Sequence, residues 1–132
     1  MSKKPKSLGV TNGRLAPVSQ KPNAVSSQMS DPAHAVEPLR FTGSPDAAMA
    51  ALEGVLRAMP RMAIVETSKG YLRAEATSRL FRFVDDLEAM ADPAARVIHV
   101  RSAARVGYSD LGVNRARVEE IRKAFDAARA KR

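Results

Sequence analysis

Every aromatic residue of this chain lies after residue 40, which limits the part of the sequence that can build a hydrophobic core. All four Phe and both Tyr fall between residues 41 and 132, whereas residues 1–40 hold five of the eight prolines. A segment with so few large apolar side chains does not bury enough surface to offset the entropy that it loses on ordering. We therefore expect a Pro/Ser-rich N-terminal arm over residues 1–40 and a single domain over residues 41–132.

The composition excludes several classes of protein. The chain has no Cys, which removes disulfides, thiolate nucleophiles and Cys-ligated metals, and no apolar run reaches the ~18 residues of a membrane span. Lys3, Lys4 and Lys6 resemble the start of a signal peptide, but residues 9–17 are too polar for its apolar segment. We expect a cytoplasmic protein, with membrane association or a lumenal location if a leader has been removed. The formal net charge of +8 allows an anionic partner.

The spacing of apolar residues predicts two helices and four strands. Ser44 suits the cap of a helix, and Pro60 ends the helical spacing that follows. Later segments alternate with the period of two that is typical of strands, until Val118, Ile121 and Phe125 mark a second helix. The predicted elements are a helix at 45–59, strands at 62–65, 71–77, 80–88 and 97–106, and a helix after 112. Because the connections are short, we predict an α+β fold, α-β-β-β-β-α, in which a four-stranded antiparallel meander carries both helices on one face.

Asp85 and Asp86 are adjacent carboxylates that could be taken for a catalytic pair. Neighbours on a strand point to opposite faces, so these two cannot share a proton. If Phe81 and Phe83 face the core, Asp85 follows them and needs a buried partner, whereas Asp86 is exposed on the other face. A structural ion pair is the favoured interpretation, and a catalytic carboxylate is the alternative. The candidate partners of Asp85 are Arg79, Arg101 and Arg105.

The same alternation places arginines on the sheet face opposite the small apolar residues. Arg73, Arg101 and Arg105 share that face with Tyr71 and Glu75, and guanidinium groups suit phosphates and carboxylates. Few aromatics and interleaved acids make this face unlike a nucleic-acid platform. We interpret it either as an anion or partner site or as a solvated, ion-paired surface.

The loop before the last helix holds a second group of polar residues. Asp110 and Asn114 can cap the free amides of that helix or present them to an anion. His99 has no neighbouring histidine in the sequence, so we expect no metal site, and no phosphate-loop or dinucleotide motif suggests a cofactor. The remaining candidates in this loop are Tyr108, Ser109 and Arg115.

Two long runs resemble a signature of a bacterial and plastid family of unknown function, DUF1499. They are residues 71–88, YLRAEATSRLFRFVDDLE, and residues 98–115, IHVRSAARVGYSDLGVNR, and the likeness extends over roughly residues 15–125. Family members commonly have a cysteine where this chain has Ala24, so no role of that thiol carries over. The resemblance implies that residues 15–40 lie along the domain, which leaves residues 1–14 as the disordered part of the arm. It implies no activity, substrate or cofactor.

Together these features favour a non-catalytic binding or scaffold module for an anionic ligand or an acidic protein. The lack of a nucleophile, base or metal constellation favours a non-enzymatic role. The alternatives are a hydrolase-like enzyme that uses Asp85, Asp86 or Asp110, and a weak nucleic-acid binder that uses the basic arm and the arginine-rich face. The candidate ligand-binding residues are Arg79, Asp85, Asp86, Arg101, Arg105, Tyr108, Ser109, Asp110, Asn114 and Arg115.

Overall fold

The structure is a computed structural model that describes residues 3–80 and 82–130. The elements of this part of the chain are β1 (Val10–Thr11), β2 (Arg14–Leu15), β3 (Ala24–Ser26), β4 (Leu39–Arg40), α1 (Pro45–Arg57), β5 (Met62–Ser68), β6 (Tyr71–Thr77), β7 (Val84–Asp92), β8 (Val97–Ala104) and α2 (Val113–Ala130). Four of the eight strands therefore belong to the N-terminal arm.

The main sheet has six strands, so the prediction of a four-stranded sheet is wrong. The strands β5 to β8 pair antiparallel in chain order, and the arm adds β3 and β4 along the free edge of β8. Ala24 pairs with Ala103, and Leu39 pairs with Ile98. The edge of β8 would otherwise present unpaired backbone groups, and the arm satisfies them. The arm also forms a separate two-stranded sheet from β1 and β2.

Both helices pack on one face of the sheet, which we call the helix face. Ser44 caps α1 through a 3.1 Å hydrogen bond from the Ala47 N–H, and α1 ends at Arg57, before Pro60. The core contains apolar residues of the helices, of β6 to β8 and of the arm. Its members include Leu52, Leu56, Val118, Ile121, Phe125, Leu72, Ala74, Leu87, Ala89, Ile98, Val100, Val25 and Leu39. The arm therefore contributes to the core itself.

The strand β7 starts at Val84, four residues later than the sequence predicts. The preceding segment forms a turn in which the Ser78 N–H donates to the Phe83 carbonyl at 2.8 Å. Phe83 is consequently 53% exposed, so its predicted place in the core is wrong. The prediction for Phe81 falls outside the described residues.

Candidate functional site

The sheet face opposite the helices carries charged residues on three adjacent strands, and we call it the arm face because the arm covers it. Arg73 of β6 lies opposite Glu88 of β7, and Glu88 lies opposite Arg101 of β8. Opposite charges at neighbouring cross-strand positions attract each other. The charged cluster on this face comprises Arg73, Glu75, Asp86, Glu88, Arg101 and Arg105.

Asp86 is at the centre of this cluster and is only 1% exposed, so the expectation that it is a surface residue is wrong. Its Oδ2 accepts from Arg105 Nε at 2.7 Å, and its Oδ1 accepts from Arg105 Nη2 at 2.8 Å and from Arg73 Nη1 at 3.1 Å. This bidentate pairing and the nearby Glu75 keep the pKa of Arg105 above its ordinary value, although burial alone would lower it. Burial opposes ionisation of Glu75, but the hydrogen bonds from Arg105 and Arg73 lower its pKa overall.

Glu88 connects the cluster to the arm and is fully buried. Its Oε2 accepts from the Tyr71 hydroxyl and from the Gly9 N–H, both at 2.6 Å. Its Oε1 is 3.6 Å from Arg101 Nη1 and accepts no hydrogen bond among the described residues. Burial and the Glu88 carboxylate raise the pKa of Tyr71, so this hydroxyl remains a donor.

The arm crosses this face and covers most of the cluster. Leu15 packs against Tyr71 and Met90, and Arg101 Nε donates to the Ala16 carbonyl at 2.9 Å. As a result, Arg73 and Arg101 are almost completely buried. The arm therefore withdraws most of the guanidinium surface of Arg73 and Arg101 from solvent.

One part of the cluster stays open to a cavity of about 390 Å³ at the edge of the arm. Asp86, Arg101 and Arg105 reach this cavity from the sheet, while Lys21 and Asn23 line it from the arm. The size lies in the range of small-molecule sites. This arm cavity brings together three of the residues that the sequence singles out, and Lys21 is a lining residue that it does not single out.

Asp85 lies on the helix face, away from that cavity. An arginine pairs with it, but this is Arg117 of α2, at 2.9 Å, rather than any of the three predicted candidates. Burial raises the pKa of Asp85 despite the attraction of Arg117. The pair ties β7 to α2, which is a structural role.

The neighbouring loop is also tied to the fold by its polar groups. Asp110 caps α2 by accepting from the N–H groups of Gly112 at 2.8 Å and Asn114 at 3.0 Å. Asn114, which is fully buried, accepts from the Ser102 hydroxyl at 2.6 Å and donates to the Asn23 carbonyl at 3.2 Å. These contacts leave little backbone at this helix start to hold an anion.

The other predicted residues are elsewhere. Arg115 donates to the Ala35 carbonyl at 2.7 Å and so fastens the arm to α2. Arg79, Tyr108 and Ser109 are exposed on loops. The ten predicted residues therefore occupy both faces of the sheet and two loops, and three of them, Asp86, Arg101 and Arg105, meet in the arm cavity.

A second cavity, of about 640 Å³, opens at the other end of the sheet. Val10, Tyr71 and Met90 give it mostly apolar walls, and Glu66 and Lys69 are at its rim. Across residues 3–80 and 82–130, no group of three or more His, Asp or Glu side chains is arranged to hold a metal ion. Neither helix in that part of the chain is long and apolar enough to cross a bilayer.

Comparison with known proteins gives one family. The family model described as "Protein of unknown function (DUF1499)" matches residues 14–125. That range includes seven of the eight strands and most of α2. No curated protein matches the chain.

Proposed function

We propose, from the premise that the chain belongs to the DUF1499 family of proteins of unknown function, that it is a non-catalytic domain that binds a small anion in the arm cavity. The observation that carries this proposal is the lining of the cavity, where Lys21, Arg101 and Arg105 face a single carboxylate, that of Asp86. The ligand class is a phosphate or carboxylate group, since guanidinium and ammonium groups bind both.

The charge balance supports an anion rather than a cation as the ligand. The charged cluster contains three arginines and three carboxylates, and Glu66, 3.5 Å from Arg73, is a fourth carboxylate beside it, but of these carboxylates only that of Asp86 lines the cavity. Lys21 adds a positive charge at the cavity and takes part in no ion pair within the described part of the chain. An anion that enters the cavity would lie close to Lys21, Arg101 and Arg105, opposite one carboxylate.

Rigid positioning of the arginines further supports binding. Arg105 is fixed by Asp86 and Glu75, and Arg101 is fixed by the Ala16 carbonyl. A ligand that meets side chains already held in place loses less conformational entropy on binding than one that must order them.

The same contacts argue against a hydrolytic role for the cavity. Both oxygens of Asp86 accept guanidinium hydrogen bonds, so neither is directed at a substrate proton. Asp85 and Asp110 pair with Arg117 and with the backbone of α2, on the other side of the sheet.

The test uses inorganic phosphate as the probe, with chloride at equal ionic strength as the control for general screening. We expect phosphate at about 100 times its dissociation constant to add about 2.7 kcal/mol of stability, measured as a rise in melting temperature. Backbone amide NMR signals of Asn23 and Gly107, which line the cavity, should shift and saturate.

Two variants locate the site. Lys21→Gln removes the uncompensated cation, and Ala103→Glu adds a carboxylate to the lining, so both should weaken the phosphate effect. Lys123→Gln, an exposed lysine on α2, should behave like the wild type. The proposal fails if phosphate acts no better than chloride, or if all three variants respond as the wild type does.

A further inference from the structure

Two neighbouring loops at one end of the sheet carry large exposed apolar side chains. One comprises residues 78–80 and 82–83 between β6 and β7, and the other comprises residues 105–113, which run from the end of β8 to the first residue of α2. They are adjacent because the Arg105 N–H donates to the Val84 carbonyl at 3.3 Å. We call this surface the loop end, and its apolar members are Leu80, Phe83, Val106, Tyr108, Leu111 and Val113.

The concentration of apolar side chains at the loop end is unusual for a protein surface. Six of the eight large apolar side chains that are exposed in residues 3–80 and 82–130 lie there. Leu111 is 91% exposed, Leu80 is 81% exposed and Tyr108 is 71% exposed. Single exposed apolar residues are ordinary, whereas a contiguous group of them marks an interaction surface.

The backbone of the second loop holds its apolar residue outward. Leu111 has a φ of 54°, in the left-handed region that a leucine seldom adopts. The Ser109 hydroxyl accepts the Leu111 N–H at 3.1 Å, and Asp110 accepts the Gly112 N–H at 2.8 Å. These bonds hold an unfavourable conformation whose result is an exposed leucine.

The charges of the loop end point to an anionic partner. Arg79 and Arg82 are exposed on the first loop, which contains no acidic residue. The one acid of the second loop is Asp110, and it is occupied in capping α2. A second copy of the chain fits poorly, because a two-fold contact through this surface would bring the arginines of both copies together.

We propose that the loop end docks on a lipid bilayer that contains anionic lipids. Leu80, Tyr108 and Leu111 enter the interface between headgroups and acyl chains, while Arg79 and Arg82 contact the headgroup phosphates. Side chains that are almost completely exposed on loop tips suit a soft, deformable phase better than a preformed protein pocket. A tyrosine and flanking basic residues are typical of the bilayer interface.

The experiment is flotation of the full chain with phosphatidylcholine vesicles, with and without phosphatidylglycerol. We expect binding to the vesicles that contain phosphatidylglycerol and little binding to phosphatidylcholine alone. Arg79→Gln/Arg82→Gln should weaken the binding about fivefold per arginine. Leu80→Ser/Leu111→Ser should weaken it by at least about tenfold.

Matched controls remove the same kinds of side chain, positively charged and apolar, from exposed positions outside the loop end. Lys69→Gln/Lys123→Gln removes two exposed positive charges, and Val65→Ser removes an exposed apolar side chain from β5; both should bind as the wild type does. Far-UV circular dichroism establishes that each variant is folded. The proposal is overturned if the wild type does not bind anionic vesicles, if the loop-end variants bind as tightly as the controls, or if the loop end mediates self-association instead.

Discussion

Asp86 is the carboxylate whose removal we expect to cost the most stability. Its side chain is 1% exposed, and the side chains of its partners Arg73 and Arg105 are 6% and 7% exposed. Asp86→Ala would remove the carboxylate that bonds two buried guanidinium groups, while Glu75 still pairs with both of them and the partly exposed Glu66 pairs with Arg73. Breaking a buried pair from one side typically costs about 3–5 kcal/mol, because the remaining charge is uncompensated. We expect the free energy of unfolding to fall by that amount.

Urea unfolding at neutral pH, followed by circular dichroism, measures this loss. The matched control is Glu53→Ala, which breaks the exposed Glu53–Arg57 pair on α1 and should cost less than about 1 kcal/mol. The double variant Asp86→Ala/Arg105→Ala should lose less free energy of unfolding than the two single variants lose in sum, because it removes both members of the pair. A cost below about 1 kcal/mol for Asp86→Ala would refute the burial argument and favour an exposed Asp86.

The remaining predictions concern pH. The pKa of Asp85 is raised in the folded state, so its protonation stabilises the fold below its ordinary value of 3.8, and this contribution is lost as the pH rises through the folded-state pKa. From pH 3.8 upward, the free energy of unfolding of the wild type should therefore fall relative to that of Asp85→Asn. If urea unfolding shows that the two free energies change with pH in parallel, the prediction is contradicted. His34 donates from Nδ1 to Asp31 at 2.6 Å and from Nε2 to the Lys21 carbonyl at 3.0 Å, an arrangement that the imidazolium satisfies fully. Its pKa is raised above 6.5, so its stabilising contribution should disappear as the pH rises through that higher value, and an NMR titration that gives His34 a pKa at or below 6.5 would contradict the assignment.

The longest elements could be predicted from the sequence, but the composition of the sheet could not. Ser44 and Pro60 indicate where α1 begins and ends because helix capping and helix termination are local effects. The strands β3 and β4 have three and two residues, too few to show a period of two. Their partner β8 lies far along the chain, and no local signal reports such a pairing.

The candidate site was partly predictable, because the face on which a strand residue lies follows from local alternation. Alternation along β6 and β8, continued one residue past the end of β8, correctly places Arg73, Arg101 and Arg105 on the face opposite the core. The same rule, applied to β7 from Asp86, would have put Glu88 beside them. What covers this face could not be inferred, because the Gly9 N–H and the Ala16 carbonyl are backbone groups that any residue supplies.

The position of β8 between the arm and β7 has a consequence for how the chain folds during synthesis. Asn23, next to β3, is hydrogen-bonded to Gly107 across 84 residues of chain. The strands β3 and β4 emerge from the ribosome early, but β8, which pairs with both, is the last strand to emerge. Proteins dominated by such distant contacts fold slowly, since the loop between the partners must close first. The newly made arm must therefore remain unpaired until almost the whole domain has left the ribosome.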